Sequence, residues 1–138
     1  MEGLNISDLL RALQILERNV SVTLMYSGLR IPQFRLLELL REQGQATVTE
    51  VSKQLHITRA TASVQINELI RAGIIAVVEN EKDRRSFHVH ITELGQNKLN
   101  VARSDLAVMQ GKLNRYYSAE MVKVLNDFAA ETLRQRVS

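Results

Sequence analysis

Apolar residues recur with helical spacing from the start of the chain. Leu9, Leu13, Leu16, Val20 and Leu24 are separated by four, three, four and four positions, which puts them in one stripe of an α-helix. Gly28 interrupts the stripe. Pro32 follows where a second helix begins, a position at which the missing proline N–H costs nothing. Leu36, Leu37 and Leu40, with Phe34, form that helix's apolar face, and Gly44 ends it. A third, shorter helix is predicted from Thr47 to Leu55, with Val48, Val51 and Leu55 inward. Thr47 and Glu50 have the spacing of a capping box, in which each side chain satisfies the other's backbone donor. His56-Ile57 connects it to a fourth helix, capped by Thr58 and running to about Ala72. Ala62, Ile66 and Leu69 face inward there, and Gly73 is the stop.

The period then changes. Ile74 to Val78 is a β-branched run that reads as a strand. Ser86 to Ile91 alternates Phe87, Val89 and Ile91 with Ser86, His88 and His90, the pattern of a half-buried strand. Between them, Glu79 to Arg85 is a charged loop, so the two strands predict a β-hairpin with a polar tip. Helical spacing returns after Thr92, with Leu99, Ala102, Leu106, Met109 and Leu113 in one stripe. Ser118 opens a last helix carrying Val122, Leu125, Phe128 or Ala129, and Leu133. The fold class expected is mainly α with a small β-hairpin wing: a winged helix-turn-helix plus a helical region at the two chain ends.

Composition narrows the picture. The 138 residues fit one domain, 45 % of them are apolar, and 24 % are charged, so a packed core is expected. There is no cysteine, which excludes disulfides and thiolate metal sites among these residues. No stretch reaches the about 18 consecutive apolar residues of a membrane span. Met1 to Asp8 is polar and unlike a signal peptide, so a cytoplasmic setting is expected. The net charge of +3 favours nucleic acid only weakly, and the location of the charges says more.

Two clusters stand out. At the N-terminal, outward side of the fourth helix lie Thr58, Arg59, Ala60, Thr61 and Ser63, followed by Val64. Small side chains allow close approach to base edges, hydroxyls bond phosphates or bases, and an arginine reaches guanine or phosphate. The simpler reading is the solvated face of a core helix. At the hairpin tip lie Lys82, Asp83, Arg84 and Arg85. Adjacent arginines there can enter a minor groove, with Asp83 near enough to hold one guanidinium. The competing reading is a solvated loop with a weak ion pair.

With these residues in order, the stretch from Ile31 to Leu99 resembles the MarR family of bacterial regulators. The likeness rests on Lys82-Asp83-Arg84-Arg85-Ser86, on Ile91-Thr92-Glu93-Leu94-Gly95, on Thr58-Arg59-Ala60-Thr61, and on Leu69 followed by Gly73. The resemblance implies one domain over residues 1–138, with a DNA-binding lobe at 31–91 and a helical dimerisation region formed by 1–27 and 92–138. It implies a repressor that binds a pseudo-palindromic operator in double-stranded DNA as a homodimer. In that scheme Arg85 enters the minor groove, Asp83 orients it, and Thr58, Arg59, Ala60, Thr61, Ser63 and Val64 fall on the major groove. Val64 stands where the family often has a basic residue, and Gln65 where it often has an apolar one.

The resemblance also implies a small anionic or phenolic effector. Tyr26, Arg30 and Tyr116, with Tyr117, are candidates to line its pocket, although such residues also simply cap helix ends. His88 and His90 share a strand face, but a third ligand is lacking, so no metal is expected. The sequence contains no phosphate-binding glycine loop, nucleophile elbow or paired-carboxylate setting, so neither an enzyme nor a cofactor is expected. The alternative function is a winged-helix protein-interaction module without DNA binding.

Overall fold

The structure is a computed structural model that describes residues 3–78 and 87–137. Its helices are α1 (Ile6–Thr23), α2 (Ile31–Gln43), α3 (Val48–Leu55), α4 (Arg59–Arg71), α5 (Glu93–Tyr116) and α6 (Ala119–Val137). The strands are β1 (Ala46–Thr47), β2 (Ile75–Val77) and β3 (His88–Ile91), and a single 3₁₀ turn spans Leu24–Ser27. The chain divides into two compact units, Met1–Leu106 and Ala107–Ser138.

The core of the first unit comes from the positions that the helical and strand periods mark as inward. Leu36, Leu37 and Leu40 of α2, Val51 and Leu55 of α3, Ala62, Ile66 and Leu69 of α4 and Val89 of β3 are all buried in one cluster, and Ile75 of β2, from the β-branched run in which the sequence marks no inward positions, joins them. Leu24, Leu99 and Ala102 are buried in the same cluster, so segments assigned from sequence to the terminal helices also help to fill it. Arg103 on α5 donates to both carboxylate oxygens of Glu38 on α2 at 2.7 Å, and Lys98 donates to the Ser27 carbonyl at 3.3 Å. Two contacts from α5 to earlier parts of the chain are thereby fixed.

The sheet differs from the expected two-stranded hairpin. It has three antiparallel strands in the order β1-β3-β2, with Ala46 opposite Val89, Thr47 opposite His88, and Ile75 opposite Ile91. The third strand is the pair Ala46–Thr47, too short to leave a period-two signal. Phe87 and Ile91 pack partly buried against the core beside Val89, so the expected inward set of β3 is the observed one.

Apolar side chains elsewhere stay outside this core. No residue of α1 is buried, and Leu10, Leu13 and Leu16 are exposed. In the second unit, Val122, Leu125, Phe128 and Leu133 of α6 are exposed as well, and none of the described residues there is buried. Among the described residues, no helix is long and apolar enough to cross a membrane.

Candidate nucleic-acid interface

The helix-turn-helix is set by its caps. Thr47 caps α3 by accepting the Glu50 backbone N–H at 3.2 Å. The reciprocal half of the expected capping box is replaced: the Thr47 hydroxyl donates to the Glu50 carboxylate at 3.1 Å, and Thr47 is itself paired in the sheet. At the other end of α3, His56 adopts φ 56°, the only positive φ of a non-glycine among the described residues. The Ile57 N–H reaches back to the Ser52 carbonyl at 3.0 Å and the His56 N–H to the Lys53 carbonyl at 3.4 Å. This is a Schellman ending, which reverses the chain within two residues.

Thr58 then starts α4. Its hydroxyl accepts the Thr61 N–H at 3.1 Å and donates to the Thr61 hydroxyl at 2.9 Å. The first turn of α4 carries no acidic residue and does carry Arg59, so the positive end of the helix dipole meets no carboxylate of its own turn. That end favours an anion such as a backbone phosphate. A second Schellman motif closes the helix. Gly73 sits at φ 76°, its N–H bonds the Ile70 carbonyl at 3.0 Å, and the Ile74 N–H bonds the Leu69 carbonyl at 3.0 Å.

With Ala62, Ile66 and Leu69 fully buried, the opposite face of α4 is turned out. Thr58, Arg59, Ala60, Thr61 and Val64 are exposed, while Ser63 is half-buried on the flank. The exposed row continues to Asn67, which the sequence reading omitted. The signal was available: Asn67 lies three positions beyond Val64 and seven beyond Ala60, on the same face. An asparagine side chain can pair both the acceptor and the donor of an adenine edge.

Beside this face runs a groove of about 450 Å³ lined by Arg30, Pro32, Gln33, Ala60, Thr61, Val64, Gln65 and Glu68. Arg30 and Glu68 span it with an ion pair at 2.7 Å. The Gln65 Oε1 atom is buried there without a hydrogen-bond partner. Of the candidate effector residues, Arg30 is therefore engaged by Glu68 and Tyr26 is 93 % exposed. Tyr116 belongs to the second unit and is also exposed.

Lys82, Asp83, Arg84 and Arg85 lie outside the described residues. What is described is the frame that carries them. The Val78 N–H bonds the His88 carbonyl at 2.8 Å, continuing the β2–β3 ladder to the edge of that segment. Among the described residues, no cluster of three or more His, Cys, Asp or Glu side chains fits a metal ion.

Residues 27–86 match the model of the MarR family. The chain is 31 % identical over 67 residues to YpoP of Bacillus subtilis, an uncharacterized HTH-type transcriptional regulator, covering 49 % of this chain and 48 % of YpoP. It spans about half the length of the curated relatives it matches. Among solved structures, the Mycobacterium tuberculosis regulator MosR in complex with DNA aligns with a TM-score of 0.78 at 20 % identity, over 96 % of this chain and 99 % of that one. NadR in complex with 4-hydroxyphenylacetate aligns with a TM-score of 0.72 at 20 % identity, over 96 % and 94 %. At these identities the likeness to solved structures establishes the fold.

Proposed function

We propose that this chain, whose residues 27–86 match the model of the MarR family, is a MarR-type transcriptional regulator that binds duplex DNA sequence-specifically. The observation that carries the reading is the exposed face of α4. A capped helix with no acidic residue in its first turn turns Thr58, Arg59, Thr61 and Asn67 outward while its apolar residues are committed to the core. Such a helix suits a major groove, with its N-terminus at a phosphate.

In this reading Lys82 and Arg84 meet phosphates, Arg85 enters the minor groove, and Asp83 orients Arg85. The lobe at 31–91 reads DNA, and the helices of 1–27 and 92–138 form a homodimer. The exposed leucines of α1 and the exposed apolar residues of α6 support that assignment, because apolar helical faces of this extent are usually covered by a partner. A two-fold dimer requires a pseudo-palindromic operator whose half-sites are about one helical turn apart. Repression by operator occupancy, in the cytoplasm, and release by a small anionic or phenolic effector complete the proposal. The likeness to NadR, whose complex holds 4-hydroxyphenylacetate, supports the effector class, with Tyr26, Arg30 and Tyr116 as candidate contacts.

The test is duplex binding across a salt series, with sites selected from a random pool. A regulator that neutralises several phosphates loses affinity steeply, with a log–log slope of about −0.9 per phosphate contacted. Absence of binding at low salt overturns the proposal in favour of a protein-interaction module.

A further inference from the structure

The outward row of α4 contains an apolar interruption. Ala60 and Val64 are four residues apart, one above the other on the same helix face, and both are exposed, Val64 by 58 %. They stand between Thr61 and Asn67, side chains that can hydrogen-bond, and they form part of the groove wall beside Pro32. Neither can donate to a phosphate or to a base edge. Val64 adds nothing to the core, and its β-branch slightly disfavours the helix it sits in. The same branching restricts χ1, so its methyl groups are held in a fixed direction and little freedom is lost when they are covered.

Placed in a major groove, this pair meets base edges. A polar edge facing two alkyl side chains loses its water and gains no partner. The one alkyl group that the four base pairs present there is the thymine C5-methyl. We propose that Val64, with Ala60 beside it, reads a thymine methyl and is a specificity-determining residue of this protein. The inference rests on the DNA-binding reading above and deepens it.

The experiment uses the full chain and duplexes recovered by selection from a random pool. Each thymine of a recovered site is replaced in turn by deoxyuridine, which lacks only the methyl group, and affinities are measured for wild type and Val64→Ala. At one thymine position the replacement weakens wild-type binding about fourfold, the factor that corresponds to about 0.8 kcal/mol for one buried carbon group. In Val64→Ala the same replacement weakens binding by a smaller factor than in wild type, the non-additivity that a double-mutant cycle reads for two groups in contact. If no thymine replacement matters, or if the sensitivity is undiminished in Val64→Ala, the inference is overturned and DNA binding stands. If no duplex is recovered at low salt, the DNA-binding reading itself is overturned.

Discussion

Gly95 of α5 lies against the backbone carbonyl of Ile74. A Cβ built on Gly95 would overlap the Ile74 oxygen and press on the Ile91 side chain. The contact is held from the preceding turn. The Thr92 hydroxyl donates toward the carbonyls of Gly73 and Ile74 at 2.6 and 2.9 Å and accepts the Gly95 N–H at 3.1 Å, while the Thr92 N–H bonds Ile74 at 3.1 Å. The first turn of α5 is thus fastened to the corner where α4 ends and β2 begins, and only glycine fits. Gly95→Ala is expected to destabilise the fold by about 1–3 kcal/mol, the usual range for forcing an extra carbon into a packed site. Urea unfolding followed by circular dichroism measures it, and an unchanged midpoint would contradict the geometry.

His56 is held in the left-handed region by the Schellman ending of α3. That conformation costs an L-residue about 1–2 kcal/mol, and more when the side chain is β-branched. His56→Val should lower stability by at least about 1 kcal/mol, whereas His56→Gly should leave it near wild type. The pair of variants separates backbone strain from any contact of the imidazole, since both remove the ring.

Gln65 carries a buried amide oxygen with no partner. An unsatisfied acceptor of this kind is a cost, and replacing it with an apolar group of similar size removes that cost. Gln65→Met is expected to keep or raise the unfolding midpoint, by up to about 1 kcal/mol in stability. A clear loss on substitution would mean that the amide makes a stabilising bond in solution.

Arg85 is the residue of the charged loop on which the DNA-binding reading depends most. For a minor-groove arginine, Arg85→Ala should weaken operator binding by about 1–3 kcal/mol and leave folding untouched. Fluorescence anisotropy with a selected duplex tests the first part and thermal unfolding the second. Full affinity in the variant would remove the wing from the mechanism.

Much of the fold could be read from the chain because its signals are local. Thr58, Gly73 and Pro32 each mark a helix end through their own chemistry, and the structure has helix boundaries within a residue or two of them. The inward set Ala62, Ile66 and Leu69 followed directly from the helical period. Strand β1 was illegible because two residues carry no period, and Thr47 gave only its helix-capping signal, although it serves both roles. The Gly95 contact was visible as a motif, but its reason is a carbonyl distant in sequence. In the candidate interface, the polar residues were found by type. Asn67 was omitted because the reading stopped at the first two turns of α4. The Arg30–Glu68 pair joins residues 38 positions apart and had no local trace.

The order of the sheet has a consequence for how the protein is made. The two outer strands flank the helix-turn-helix, β1 at its entrance and β2 at its exit, and the strand that joins them is β3, which is synthesised last of the three. A chain emerging from the ribosome can build α3 and α4 early, since their caps are local. Their common clasp is missing until Ile91 is free of the exit tunnel. Closing so long a stretch is slow relative to helix formation. The nascent helix-turn-helix therefore passes through an interval in which both β1 and β2 are unpaired edges. That interval, more than the finished fold, is where this lobe is most open to misassembly.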